Sequence, residues 1–221
     1  ELVQRLAQRD NLLLMRGQVR NQLHALRHNP VVVAPVANRM ETLEQTLLTQ
    51  IAQIEEELLA FLSVEPEQTS VAENSSPNQA WTSNIVRLQT IPGIGLITAM
   101  WIVVATMNFT LCASAEQAAA YAGLAPMMQE SGTSVHKRPR IGHSGNGRLR
   151  TALYMATLSA ARFNPTIKPF YDRLRTAGKP AKVARCAAAR KLLHLAFAIG
   201  TTLEDFDPNY QRKNKQLTIA V

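Results

Sequence analysis

Between Gly123 and Asn146 the chain sets hydroxyls among glycines and cations. Gly-Leu-Ala-Pro at 123–126 leads to Gln129-Glu130-Ser131-Gly132-Thr133-Ser134, then His136-Lys137-Arg138-Pro139-Arg140, then Gly142-His143-Ser144-Gly145-Asn146, with Gly147-Arg148-Leu149-Arg150 opening a helix. Phosphoryl transfer calls for such a set. A serine oxygen attacking a phosphodiester needs positioning and cationic stabilisation of the developing charge more than a perfected base. Arg138, Arg140, Arg148 and Arg150 are spaced to clamp a phosphate, and backbone amides around Gly145–Gly147 add donors. Read alone, Ser131-Gly132 is more often a turn than a nucleophile.

A second constellation is Ile91-Pro92-Gly93-Ile94-Gly95 between two short helices, the pattern of a helix-hairpin-helix element. Its glycines permit a tight turn, which lets amides opening the next helix point at a DNA phosphate without reading sequence. The alternative is a turn joining two packed helices with no ligand. His136 and His143 have no carboxylate or cysteine at ligand spacing, so phosphate contact or plain exposure is the reading for both, and no metal site is expected. His194, among Leu192, Leu193, Leu195 and Phe197, reads as a helix-packing histidine. Lys182, Arg185, Arg190 and Lys191 decorate the same helix and either track a nucleic-acid backbone or form its solvated face.

Charge sharpens this division. Up to Glu130 there are seven arginines and no lysine against twelve acidic residues, a net −5; from Ser131 onward seventeen basic residues face four acidic, a net +13. Between Ser131 and Lys191 fourteen cations accompany one acid, Asp172. Such a field attracts polyanions, nucleic acid foremost, beyond what a solubilising surface requires. The composition, 46% hydrophobic and 18% charged, is that of a globular chain. No apolar run reaches the roughly 18 to 20 residues of a membrane span, since Ile91–Val104 contains Pro92, two glycines and Thr98. Glu1–Asp10 lacks the basic start and apolar centre of a signal peptide. Cys112 and Cys186 stand alone, so a reducing, cytoplasmic setting and two small buried thiols are expected.

The elements that must position these residues are helical. Leu2, Leu6, Leu13, Val19, Leu23 and Leu26 form a stripe over Glu1–His28, which Asn29 and Pro30 end. From Ala37 to Leu62, Leu43, Leu47, Ile51, Ile54, Leu58 and Phe61 recur at spacings of 4, 4, 3, 4 and 3, a heptad seam. These two helices, one basic and one acidic, fold back on each other as an antiparallel hairpin or coiled coil, or pair with another chain. Residues 63–84, rich in Glu, Ser, Asn, Gln and Pro, read as a flexible linker. Helices are then predicted over Trp81–Gln89, Leu96–Thr106, Ser114–Ala122, Gly147–Phe163, Thr166–Thr176 and Lys179–Gly200, with a loop from Gly123 to Asn146. Strand patterns are scarce.

In their order, Leu88–Gly95 with Thr98-Ala99, Phe109, Ala120–Pro126, Ser131-Gly132, Arg140-Ile141, Gly145-Asn146, Arg148-Leu149-Arg150 and Ala184–Leu193 resemble the C-terminal transposase domain of the insertion sequence 110 family. The resemblance spans roughly Leu88 to Ile199, and the preceding helices are similar to the coiled coil that leads into that domain. It implies a recombinase that cuts and rejoins DNA through a serine, guided by a structured bridge RNA. The serine carried over is Ser131, with Ser134 as the fallback. It also implies a RuvC-like N-terminal domain whose four acidic residues bind magnesium, a domain these 221 residues do not include; Asp10 reads instead as an ordinary charge on its helix. Ser144 departs from the lysine or similar polar residue usual before the Gly-Asn pair.

The reading is therefore an all-α chain: an antiparallel helical hairpin over 1–62, a linker over 63–84, a compact helical transposase domain over 85–205 containing a helix-hairpin-helix, and a tail over 206–221. Ser131 is the expected nucleophile. Pro92, Gly93, Ile94, Gly95, Lys137, Arg138, Arg140, Asn146, Arg148, Arg150, Lys182 and Arg185 are the expected phosphate and DNA contacts. The expected partners are DNA, a guide RNA and further copies of the chain, as dimer or tetramer through the coiled coil, in the bacterial cytoplasm at the nucleoid. No cofactor is expected in this chain. The competing reading is a helical nucleic-acid-binding module without chemistry that assembles through its coiled coil.

Overall fold

Asn29-Pro30 interrupts the leucine-rich opening, and the chain reverses there between α1 (Leu2–Arg27) and α2 (Ala34–Ala60). In the computed structural model the described residues are 1–62, 77–131, 135–142 and 144–208, with 77–78, 128–131 and 135–139 described by their backbone alone. The chain divides into two units, Glu1–Thr82 and Ser83–Val221. In the first, α1 and α2 pack antiparallel, as cross-helix pairs show: Arg5 with Glu57 at 2.9 Å, Arg9 with Glu55 at 2.6 Å, Arg27 with Glu41 at 2.6 Å. Leu2, Leu6, Leu12 and Leu23 bury against Leu47, Ile51, Ile54 and Leu58. The expected stripe shifts at one point, where Leu12 rather than Leu13 is inside, and Leu43 stays 48% exposed toward the end of the seam that the turn closes. Helix α2 starts earlier than Ala37 because Pro35 lies in its first turn, where a missing N–H leaves no bond unmade.

The second unit takes in the C-terminal half of α3 (Pro77–Gln89), a helix that begins inside the stretch read as linker, and continues with α4 (Leu96–Ala105), α5 (Ala115–Tyr121), α6 (Gly147–Phe163), α7 (Ile167–Thr176) and α8 (Ala181–Thr202). Helices α5, α6 and α7 pack on α8, and α4 packs on α6. Alanines make close approach possible: Ala118 and Ala119 of α5, Ala156 and Ala160 of α6, and Ala184, Ala188, Ala189 and Ala196 of α8 are all buried. Helix α4 is buried continuously from Ala99 to Ala105. After it, Met107, Asn108 and Phe109 take left-handed φ angles of 48°, 54° and 67°, at a cost of roughly 1 kcal/mol each. Side-chain bonds offset that strain: Asn84 Nδ2 donates to Asn108 Oδ1 at 2.7 Å, and Thr106 Oγ1 accepts the Phe109 amide at 3.0 Å. The Phe109 ring meets Phe197 edge-on at 5.7 Å and occupies the space over Gly200 that a side chain there would need.

The chain is all-α in class, and one departure falls in the stretch expected to be loop. Strands β1 (Met127–Ser131) and β2 (Val135–Arg140) pair antiparallel, Ser131 opposite Val135 and Met127 opposite Arg140. The register slips between these pairs, with one extra residue on β2 around Arg138-Pro139, where proline has no N–H for the ladder. Among the described residues no helix is long and apolar enough to cross a membrane.

Candidate nucleic-acid interface

Helix α6 is the ruler of the expected site. At its start Asn146 is the N-cap, its Oδ1 accepting the Leu149 amide at 3.1 Å. The turn before it is fixed to the end of α5: the Asn146 amide donates to Tyr121 O at 2.7 Å, and Arg150 Nη1 donates to Ser144 O at 2.9 Å. Gly145, at φ +87°, lies directly on the backbone of Tyr121 and Gly123, so the residue must be both left-handed and without a side chain. Arg148 is exposed and stacks on the buried Trp101 ring at 5.5 Å. Arg150 therefore braces the turn, while Arg148 is held with its guanidinium at the surface.

The Ile91–Gly95 turn sits at the other end of the same helix. Gly93, at φ +104°, packs on Ala160, and the buried Asn164 donates from Nδ2 to Pro92 O at 3.0 Å. Ile91 and Ile94 are buried and pin the turn to the core, Pro92 and Gly93 are half-buried, and Gly95 is exposed as the N-cap of α4. From Gly147 to Ala160 is about 20 Å at 1.5 Å per residue. The expected phosphate contacts thus form two groups at opposite ends of α6, one at Asn146, Arg148 and Arg150 and one at Pro92–Gly95.

A third group lies on α8. Arg140, leaving β2, and Lys182 line a cleft of about 610 Å³ together with Arg190, Lys191 and His194. Its apolar walls are Leu124, Pro126, Ile141, Val183, Cys186 and Ala187, with Phe170 of α7 beside them. Lys191 is tied in place, its Nζ 4.7 Å over the Phe170 ring and 3.4 Å from Thr166 O, and burial with Arg173 nearby lowers its pKa. His194 is half-buried, its Nε2 has no hydrogen-bond partner among the described residues, and burial followed by Arg190 lowers its pKa against a smaller opposing pull from Glu116. Cys186 is a half-buried thiol raised by burial, with Arg150 lowering it less; Cys112 is buried and raised by burial alone. Arg185 is held beside the Tyr154 hydroxyl, which raises its pKa and keeps the guanidinium charged.

Ser131 ends β1, at the far end of the hairpin from the pair that joins Met127 to Arg140. Lys137 and Arg138 are on β2, with Lys137 opposite Gln129. Ser134 and His143 lie outside the described residues. Among the described residues no three His, Cys, Asp or Glu side chains gather as a metal site. The described residues therefore offer no donor set for the magnesium that the resemblance assigns to a RuvC-like domain, and no step below is routed through a metal. Residues that the reading by type and spacing did not single out are Asn164, Trp101 and Phe170. Asn164-Pro165 after an apolar helix is a stop signal, and Phe170 between Lys168 and Arg173 is an aromatic interleaved with cations.

Residues 86–172 match the transposase family described as IS116/IS110/IS902. This segment is similar to IS110-type transposase domains. The domain so matched contains the Ile91–Gly95 turn, the hairpin with Ser131, all of α6 and most of α7. A pilin gene-inverting protein of Moraxella bovis is 40% identical over 122 residues, 54% of this chain and 38% of that protein. Its counterpart in Moraxella lacunata is 37% identical over 136 residues, 61% of this chain and 41% of that protein. An uncharacterized 43.6 kDa protein of insertion element IS110 from Streptomyces coelicolor is 34% identical over 114 residues, 51% of this chain and 27% of that one. The chain thus spans about two fifths or less of the length of these relatives.

Proposed function

We propose that this chain works in DNA transposition or site-specific inversion, cutting and rejoining strands through a covalent phosphoserine at Ser131. The observation that carries the reading is the transposase-domain match over 86–172, which includes Ser131. Ser131 Oγ attacks a backbone phosphorus, the P–O bond to one strand breaks, and that strand leaves with its oxygen protonated. A hydroxyl of another strand then attacks the phosphoserine and releases the serine. One phosphodiester is exchanged for another, so no nucleotide cofactor is consumed. Arg138, Arg140 and Arg148 stabilise charge on the phosphate oxygens, with Lys137, Lys182 and Arg185 along the strand. Pro92–Gly95, acting as a helix-hairpin-helix, and the Asn146 turn hold duplex backbone at two points about 20 Å apart, without reading sequence. Two partners belong to the same proposal: a structured guide RNA, and further copies of the chain joined through α1 and α2. A RuvC-like domain completes the composite site.

The test is strand exchange on a donor and target pair, with the chain alone and with a RuvC-like half and guide RNA supplied. Ser131→Ala abolishes exchange while DNA binding persists. Exchange undiminished in Ser131→Ala contradicts the proposal, and binding without exchange from any mixture favours a non-catalytic binding module.

A further inference from the structure

The cleft on α8 has a chemistry that phosphate tracking alone does not require. A surface that only follows a DNA backbone is a cationic ridge, whereas this one encloses about 610 Å³ behind apolar walls, within the size range of small-ligand sites. The charged side chains among its lining residues are all cationic: Arg140, Lys182, Arg190 and Lys191. Glu116 of α5 acts on His194 and Arg190 from nearby and is not among the lining residues. Apolar walls with a cationic rim complement a molecule that has a flat apolar body and an anionic edge. A nucleotide is such a molecule, and a base inside a paired duplex is not, because its faces are already stacked.

We propose that this cleft receives one unpaired deoxynucleotide of a DNA strand, its base between Leu124, Pro126, Ile141 and Val183 and its phosphate toward Arg140 and Lys182. The inference rests on the nucleic-acid reading above. Deoxyribose is the sugar named because the reading above makes DNA the strand that is cut and rejoined. The lining is rich in donors, so it suits a base edge that presents acceptors. Thymine, with two carbonyl acceptors and a methyl group, is the matching base. Arg140 belongs to both the cleft and the hairpin that carries Ser131, so a nucleotide held here would anchor the strand presented to the hairpin.

The experiment compares binding of a paired DNA duplex, the same duplex with one unpaired thymine, and an RNA duplex with one unpaired uridine. The wild-type protein binds the thymine-bulged duplex about ten-fold more tightly than the paired one, the effect of one buried base. Val183→Trp, which fills the cleft from a position already 53% exposed, removes that preference and leaves paired-duplex affinity unchanged. In the wild type, maleimide labelling of Cys186 slows when the bulged duplex is bound, and no more than slightly when the paired duplex is. Equal affinity for bulged and paired DNA, a preference that survives Val183→Trp, unprotected Cys186, or a stronger preference for the RNA bulge each overturns the proposal. If paired-duplex binding is intact in such a result, only the cleft assignment falls; if no duplex binds, the nucleic-acid reading falls with it.

Discussion

Asn164 is fully buried and uses both ends of its amide: Nδ2 donates to Pro92 O, while Oδ1 accepts the amides of Thr166 and Ile167 at 2.9 and 3.0 Å. Truncation removes the partner of three backbone groups, one of them the buried Ile167 amide, so Asn164→Ala should lower unfolding free energy by about 2 to 3 kcal/mol in urea titration. A loss below about 0.5 kcal/mol would mean that water or a neighbour takes over these bonds. His194 gives a pH test. Burial, then Arg190, holds its pKa below the usual histidine range, so the folded state binds this proton less readily than the unfolded chain. Its contribution is complete above the unfolded value and is lost as pH falls through the folded one. The urea midpoint should therefore drop more steeply from about pH 7 to about pH 5 in the wild type than in His194→Leu; parallel slopes contradict this. Neither role could be read in the sequence. Asn164 was not singled out, since its reach to Pro92 spans 72 positions, and His194 reads as a core or helix-packing residue because its cleft is assembled from separate segments around Leu124, Arg140, Phe170 and α8.

Hydrophobic spacing predicts the helices well where one face is buried and a cap marks the end. Helix α6 occupies the predicted Gly147–Phe163, with Asn146 capping one end and Asn164 the other. Helix α5 is set by Ser114 and Gln117, which satisfy the Gln117 and Ala113 amides. The β-hairpin was not legible: Met127–Ser131 and Val135–Arg140 alternate no apolar and polar faces, and the second strand carries Lys137, Arg138 and Arg140 with a proline inside it. The pairing depends on the two segments meeting, which periodicity along one segment does not encode. In the α1–α2 pair the apolar seam carries stability and the ion pairs set register, because exposed pairs contribute little. Leu58→Ala, at a fully buried position, should cost about 2 to 5 kcal/mol, whereas Arg27→Ala, at an exposed pair, should cost under about 1 kcal/mol. Equal losses in thermal unfolding would reverse that ranking.

Over the whole chain, the cationic surface of the second unit combines exposed Arg140, Arg148 and Lys182 with half-buried Arg150, Arg185 and Arg190. If about five of these neutralise phosphates, the logarithm of DNA affinity falls against the logarithm of salt with a slope near −4.5. A slope near zero would remove nucleic acid as the partner. The concentration of cations after Ser131, within this unit, was plain in the sequence; the separation of its contacts along α6 was not, since that needs the packing of α4 on α6 and the corner at Asn164. The most direct test of the central claim is covalent trapping. Labelled DNA is incubated with the protein, with and without a RuvC-like half and guide RNA, then denatured, and any adduct is mapped by peptide mass spectrometry. The account predicts a DNA-linked peptide carrying Ser131, absent in Ser131→Ala and retained in Ser134→Ala. A linkage at another residue, or no adduct from a mixture that exchanges strands, would contradict it.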